Sequence, residues 1–213
     1  MRKIFIHLQY PKFVFADYLY LKSKKYTING KNLQRLIDED MAKYMPQKAK
    51  LTCHGVHAVN YLLASNRIFR NVFYYRIELS NKLASSIFKA ISFIIVPKLS
   101  NIEIGHRKDG FIDGGLRIVH TQGCTIAPYK AGKNLSVFQG VTIGYSESHS
   151  EDEIGTPTFG DNVSIMANAV VFGNIKIGNN VTIGAGSIVT KDIPDNCTVV
   201  GNPARIIKRK DNE

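Results

Sequence analysis

The chain has 213 residues, 44% hydrophobic and 21% charged, an ordinary soluble composition with length for one large domain or two small ones. Its three cysteines, Cys53, Cys124 and Cys197, are far apart and show neither disulfide nor metal-ligand spacing, so free thiols in a reducing compartment are expected. The formal charge of +11 is uneven: residues 1–100 carry seventeen Lys and Arg against five Asp and Glu, and residues 101–213 carry eleven against twelve.

The start, MRKIFIHLQYPKF, is basic, but its apolar run stops after three residues. That is too short for the core of a secretory signal, and a cytoplasmic location is expected. From residue 31 to 100 the pattern is helical. In LQRLIDEDMAKYM, Leu33, Leu36, Ile37, Met41 and Tyr44 recur at spacings of three and four. The following stretch, from Arg67 to Val96, is rich in aromatics, with Arg67, Arg70, Arg76, Lys82 and Lys89 interspersed. Its most apolar part, Leu83 to Val96, is too short and too charged to span a membrane. Two readings of this basic front stay open. It caps the segment that follows, or its basic amphipathic surface rests on the inner face of an anionic membrane. No nucleic-acid motif accompanies the charge, so nucleic acid is not an expected partner. His54 and His57 stand three apart, but no nearby Cys or carboxylate completes a metal site.

Near Ser100 the pattern changes. From Phe159 the sequence reads FGDNVS, IMANAV, VFGNIK, IGNNVT, IGAGSI, VTKDIP. The leading residues, Phe159, Ile165, Val171, Ile177, Ile183 and Val189, fall six apart, with Val163, Ala169, Ile175, Val181 and Ser187 in step four residues later. Gly-Asp-Asn and Gly-Asn clusters between them tolerate positive φ. A period of six fits a short strand and a tight corner, and three strands close one triangular coil, so residues eighteen apart stack. On this scheme Val171 stacks on Val189 and Ile165 on Ile183. Upstream the same column continues as Ile143 and Val137, then Ala131, Cys124, Ile118 and Ile112, with a one-residue slip between Cys124 and Ala131. After Ile143 the register returns sixteen residues on, which predicts that one strand turn is replaced by a polar, acidic loop over 145–158.

Four stretches carry a family resemblance: IDGGLRIVHTQG (112–123), SVFQGVTIG (136–144), the run over 160–194, and VVGNPARII (199–207). With them, residues 101–210 resemble the hexapeptide-repeat acyltransferases, above all the serine acetyltransferase branch and its short polysaccharide-locus relatives. The resemblance implies a mainly β chain: a left-handed parallel β-helix domain over 101–213, preceded by the helical region 1–100 and ending in a basic tail. It also implies an acetyl-CoA-dependent O-acetyltransferase working as a homotrimer, with active sites between adjacent prisms and no metal.

The family's catalytic histidine falls on His120. Its orienting acid corresponds to Glu103, at a spacing two residues longer than in serine acetyltransferases. Gly144, Ala167 and Ala185 correspond to positions lining the pantetheine groove. In chemical terms, a histidine is a suitable base for an alcohol nucleophile near neutral pH, a carboxylate on its other nitrogen fixes the tautomer, and a backbone N–H at Gly144 or Tyr145 suits the oxyanion. Arg205 and Lys208, with Arg209 and Lys210, suit the nucleotide phosphates.

The acceptor is less defined. An Arg-His pair that helps serine enzymes hold the amino acid is replaced by Gly155 and Thr156, and the loop's His149 lies seven residues away. The helical front is also shorter than in typical serine enzymes. The first expectation is therefore a sugar hydroxyl, such as a surface-polysaccharide intermediate, and the alternative is serine O-acetylation for cysteine biosynthesis. A γ-type carbonic anhydrase and a non-catalytic β-helix scaffold stay as remoter readings. The former needs two histidines five apart, and His120 has Thr125 at that offset.

Overall fold

The computed structural model describes residues 14–50, 53–79, 99, 101–105, 110–120, 122–145 and 155–209. The chain divides into two compact units, residues 1–99 and 100–213.

The first unit is helical. Helix α1 (Val14–Lys22) leads through a tight turn into the hairpin β1 (Thr27–Ile28) and β2 (Lys31–Asn32), followed by α2 (Leu33–Tyr44), α3 (Gln47–Lys50), α4 (Val56–Ser65) and α5 (Arg67–Glu78). Asparagines start two of these helices. Asn32 and Asn66 each accept a hydrogen bond from the backbone N–H three residues on, at Arg35 and Phe69, satisfying donors that an unfinished first turn leaves open. The expected face of α2 is buried at Leu33, Leu36, Ile37 and Met41, and Leu33, Ile37 and Met41 share one core cluster with Leu62, Leu63, Phe69 and Phe73.

The basic surface expected on α5 is smaller than its sequence suggests. Arg76 is fully buried, with Nε and Nη2 on the Asp40 carboxylate at 2.7 and 3.1 Å. Arg70 turns back to donate to the carbonyls of Leu63 and Ala64, capping the end of α4. Of the five cations that suggested a membrane-facing surface, two point at protein, and Lys82 and Lys89 lie outside the described residues, as does the run from Leu83 to Val96. Among the described residues no helix is long and apolar enough to cross a membrane.

The second unit is a three-sided parallel β-helix. Its first face is β4 (Phe111–Ile112), β7 (Lys130–Ala131), β10 (Thr158–Phe159) and β13 (Lys176–Ile177). The second holds β5 (Arg117–Val119), β8 (Ser136–Phe138), β11 (Ser164–Ile165), β14 (Thr182–Ile183), β16 (Cys197–Val200) and β17 (Arg205–Arg209). The third holds β3 (Ile102–Ile104), β6 (Cys124–Ile126), β9 (Thr142–Gly144), β12 (Val170–Phe172) and β15 (Ile188–Val189).

The hexad reading holds from Phe159 onward: Ile165 pairs with Ile183 and Val171 with Val189, all buried. Two upstream expectations are corrected. Ile126, not Cys124, stacks against Ile143, so the inward steps are eight residues from Ile118 and five to Ala131. Cys124 is also buried, at the second inward position of its hexad. Apolarity alone does not distinguish these two positions. The 145–158 loop replaces no strand either, since β9 and β10 occupy consecutive faces and the extra residues leave at the corner between them.

The corner between first and second faces is an asparagine ladder. Asn134, Asn162, Asn180 and Asn196 all have φ near +60° and pass amide hydrogen bonds up the stack at 2.8, 3.1 and 2.9 Å. Beside it, Asp161 accepts from the N–H of Lys133, Asn179 from that of Asp161, and Asp195 from that of Asn179. The basic tail is not a free extension. After a turn through a cis Asn202-Pro203 bond it returns as β17, antiparallel to β16, and covers the top edge of the second face.

Candidate active site along one edge of the prism

His120 follows β5 at the corner between second and third faces. Val119 pairs with Phe138 and Thr125 with Thr142, intervals of six residues below and four above, so this lowest corner carries two extra residues. His120 adopts φ +70°, and every other described non-glycine residue with positive φ is an asparagine. The left-handed region costs an ordinary side chain roughly 1–2 kcal/mol. The bulged corner holds the imidazole outward, where it is exposed.

The strand register places a column of residues above it. Extending Val137–Ile165, Ile165–Ile183 and Ile183–Val199 around the same corner stacks Gln139, Ala167, Ala185 and Gly201, and the bulge that carries His120 lies one coil below, where Gly140 N–H donates to Gln122 O at 2.7 Å. Corner hydrogen bonds lock the levels together: Asn168 N–H donates to Gln139 O at 2.9 Å, and Gly186 N–H to Ala167 O at 2.8 Å. Arg205 pairs with Val200 at the top. Five strand spacings separate His120 from Arg205, about 24 Å along the edge. Above Gln139 its levels are the small residues Ala167, Ala185 and Gly201, which leaves a shallow edge leading from the imidazole side toward the Arg205 guanidinium.

The other expected residues lie elsewhere. Glu103 points outward from the third face, one strand below β6, where it pairs with Thr125, and no hydrogen bond or ion pair joins it to His120. Gly144 and Tyr145 sit at the opposite end of the third face, on the edge where the loop departs. A Cβ at Gly144 would meet nothing within 4 Å. Lys208 pairs with Thr198, across the second face from the groove. Within one chain, then, the structure brings together His120, Ala167, Ala185 and Arg205, and leaves Gly144, Tyr145, Glu103 and Lys208 on other surfaces.

Gly155 and Thr156 are buried rather than displayed. The Tyr145 ring lies so close over Gly155 that a Cβ there would fall 2.1 Å from Cε2. His149 lies outside the described residues. Among the described residues no cluster of His, Cys, Asp and Glu could hold a metal ion. Gln139 stands on this edge beneath Ala167, a place that sequence reading did not single out. The available signal was its place in the hexad, where the coils above carry Ala167 and Ala185.

The bacterial transferase hexapeptide family model (six repeats) matches residues 156–191. A serine acetyltransferase of Staphylococcus epidermidis is 35% identical over 179 residues, covering 84% of this chain and 77% of that protein. The chain belongs to the serine acetyltransferase family. A Staphylococcus aureus member is likewise 35% identical over 178 residues, covering 84% and 76%. The crystal structure of the Neisseria gonorrhoeae serine acetyltransferase matches at a TM-score of 0.62 with 25% identity, over 93% of this chain and 80% of that one. A second structure of that enzyme, in complex with serine, matches at 0.58. The fold expected from the repeat, a left-handed parallel β-helix behind a helical region, is the serine acetyltransferase fold, and the chain is an acyltransferase.

Proposed function

We propose that this protein transfers the acetyl group of acetyl-CoA to the hydroxyl of serine, releasing O-acetylserine and coenzyme A. The observation that carries the donor half is the edge groove. A thin ligand with phosphates at one end and a thioester at the other suits small residues at Ala167 and Ala185, a cation at Arg205 and an imidazole at His120. The acceptor half rests on the relatives, serine acetyltransferases that this chain matches over most of their length. This moves the acceptor from the sugar hydroxyl that the sequence favoured to serine.

In the reaction His120 takes the proton of the attacking hydroxyl as the oxygen bonds to the thioester carbon. The tetrahedral intermediate collapses, the C–S bond breaks, and the imidazolium returns the proton to the departing thiolate. Glu103 is assigned the orienting role, and the N–H groups at Gly144 and Tyr145 the oxyanion. The proposal includes a homotrimer with the site between prisms. It is supported by the separation within one chain, since the His120 and Gly144 edges lie at opposite ends of the third face. A neighbouring copy is the natural supplier of the second edge.

A sugar acceptor stays as the second reading because of one observation: the positions expected to grip an amino acid are the buried Gly155 and Thr156, under an exposed Tyr145 ring. Thiol release from acetyl-CoA, measured with serine against a panel of sugars, separates the two. Turnover with sugars and none with serine would overturn the serine assignment.

A further inference from the structure

The helical unit holds a cavity of about 330 Å³, built wholly from its own residues, to which acetyl transfer assigns no part. That volume lies at the small end of ligand sites, roughly 300–1,000 Å³, so it suits a small molecule and not a nucleotide. Tyr20 lines it from α1, Asp38 and Met41 from α2, Met45 from the end of that helix, Lys50 from the end of α3 and His54 from the turn before α4.

Opposite charges share this space. Tyr20, itself buried, donates its hydroxyl to Asp38 Oδ1 at 2.6 Å, which orients the carboxylate. Burial, and then that bond, push the Tyr20 hydroxyl well above its ordinary value, so it stays a donor. Burial also raises the Asp38 carboxyl. A carboxylate short of water gains more from a neighbouring cation than a fully hydrated one does. Lys50 supplies a cation and His54 a ring donor, both exposed, and among the described residues no ion pair joins either to Asp38. Met41 and Met45, at 5% and 8% exposure, add thioether surface that adapts to the shape of an apolar group. Burial pushes the Cys53 thiol up, which makes this further wall residue an apolar contact and not a nucleophile.

A lone anion would face the Asp38 carboxylate, and a lone amine would face Lys50. Among the described residues no group of His, Cys, Asp and Glu could hold a metal ion. A ligand that carries both charges meets each of them with its opposite. We propose that the cavity is a second ligand site that takes a small zwitterion, an α-amino acid with an apolar side chain. Its ammonium is held by the Asp38 carboxylate, its carboxylate by Lys50 and His54, and its side chain lies against Met41 and Met45.

Calorimetric titration of the full-length protein tests this with L-valine and L-methionine. Two truncated probes accompany them: isobutylamine, which is valine without its carboxylate, and N-acetyl-L-valine, which lacks the ammonium. Both amino acids are expected to bind with a Kd of about 1 mM or tighter, and each truncated probe at least about tenfold more weakly. Asp38→Asn keeps an acceptor for the Tyr20 hydroxyl but removes the charge, and should weaken L-valine at least about tenfold. Lys50→Met, at an exposed position, should do the same and carries the test should Asp38→Asn not fold. His120→Asn, in the β-helix, should bind L-valine as the parent does. Neither amino acid binding to the parent at about 10 mM overturns the proposal. Equal binding of either truncated probe, or unchanged affinity in a folded Asp38→Asn or Lys50→Met, overturns it as well.

Discussion

Arg76 and Asp40 form a two-point ion pair in which both side chains are sealed from solvent, at 0% and 1% exposure. Joining α5 to α2, it makes the charge pattern of the helical unit inward as well as outward. Removing one partner takes the bonded counter-charge from a group sealed from solvent, a loss of about 3–5 kcal/mol. Asp40→Ala is therefore expected to lower stability by that amount in denaturant unfolding. Replacing both residues with apolar ones of similar volume should recover most of it. A single mutant within about 0.5 kcal/mol of the parent would show that the pair contributes little.

His120 is expected to act as base from a backbone position that favours asparagine. His120→Asn is thus the better control than alanine, since asparagine tolerates the left-handed φ and keeps the corner. It should lower kcat at least about a hundredfold while coenzyme A still binds. Calorimetric titration with coenzyme A beside steady-state kinetics checks both halves. Unchanged kcat would take His120 out of the proton transfer.

The groove predicts a different signature. Ala167→Phe or Ala185→Trp fills the path without touching the imidazole, so KM for acetyl-CoA should rise at least about tenfold with a folded, assembled protein. Arg205→Ala should raise KM severalfold and weaken its dependence on salt, because an exposed cation acts through a screened field. Bulky substitutions that leave KM unaltered would place the donor elsewhere.

The aspartate at the top of the asparagine corner makes the fold sensitive to acid. Hydrogen bonds from the Asn179 side chain, and then from its backbone N–H, hold the Asp195 carboxyl below the usual carboxylate range. A lowered folded pKa means the carboxylate favours the folded state. Its contribution is full above the unfolded value, about 3.9, and is lost as pH falls through the lower folded value. Asp195→Ala should be less stable than the parent near neutral pH, and the gap should close in acid as pH falls through the lowered folded value. Parallel melting temperatures across the two conditions make the comparison, and a gap that widens in acid would contradict it.

The repeat was legible because its information is local. A short strand and a corner need six residues, and an inward aliphatic at each step from Phe159 to Val189 labels every strand without knowledge of its neighbours. His120 and the two alanines were legible for a related reason, since they lie within stretches whose residue types carry the family pattern. Gln139 stood in the same pattern but was read as part of a run rather than as an exception to the small residues above it.

Sequence alone thus determined the period, the three-sided winding and the kind of group that each corner presents. Tertiary structure decided which corner each group occupies, because extra residues around His120 and in the 145–158 loop shift the count before strands pair. Only pairing showed that Ile126 rather than Cys124 stacks against Ile143, and that His120 and Gly144 lie on different edges. Only packing showed that Arg76 turns inward, because a carboxylate thirty-six residues away compensates its charge, a relationship with no local trace in the chain.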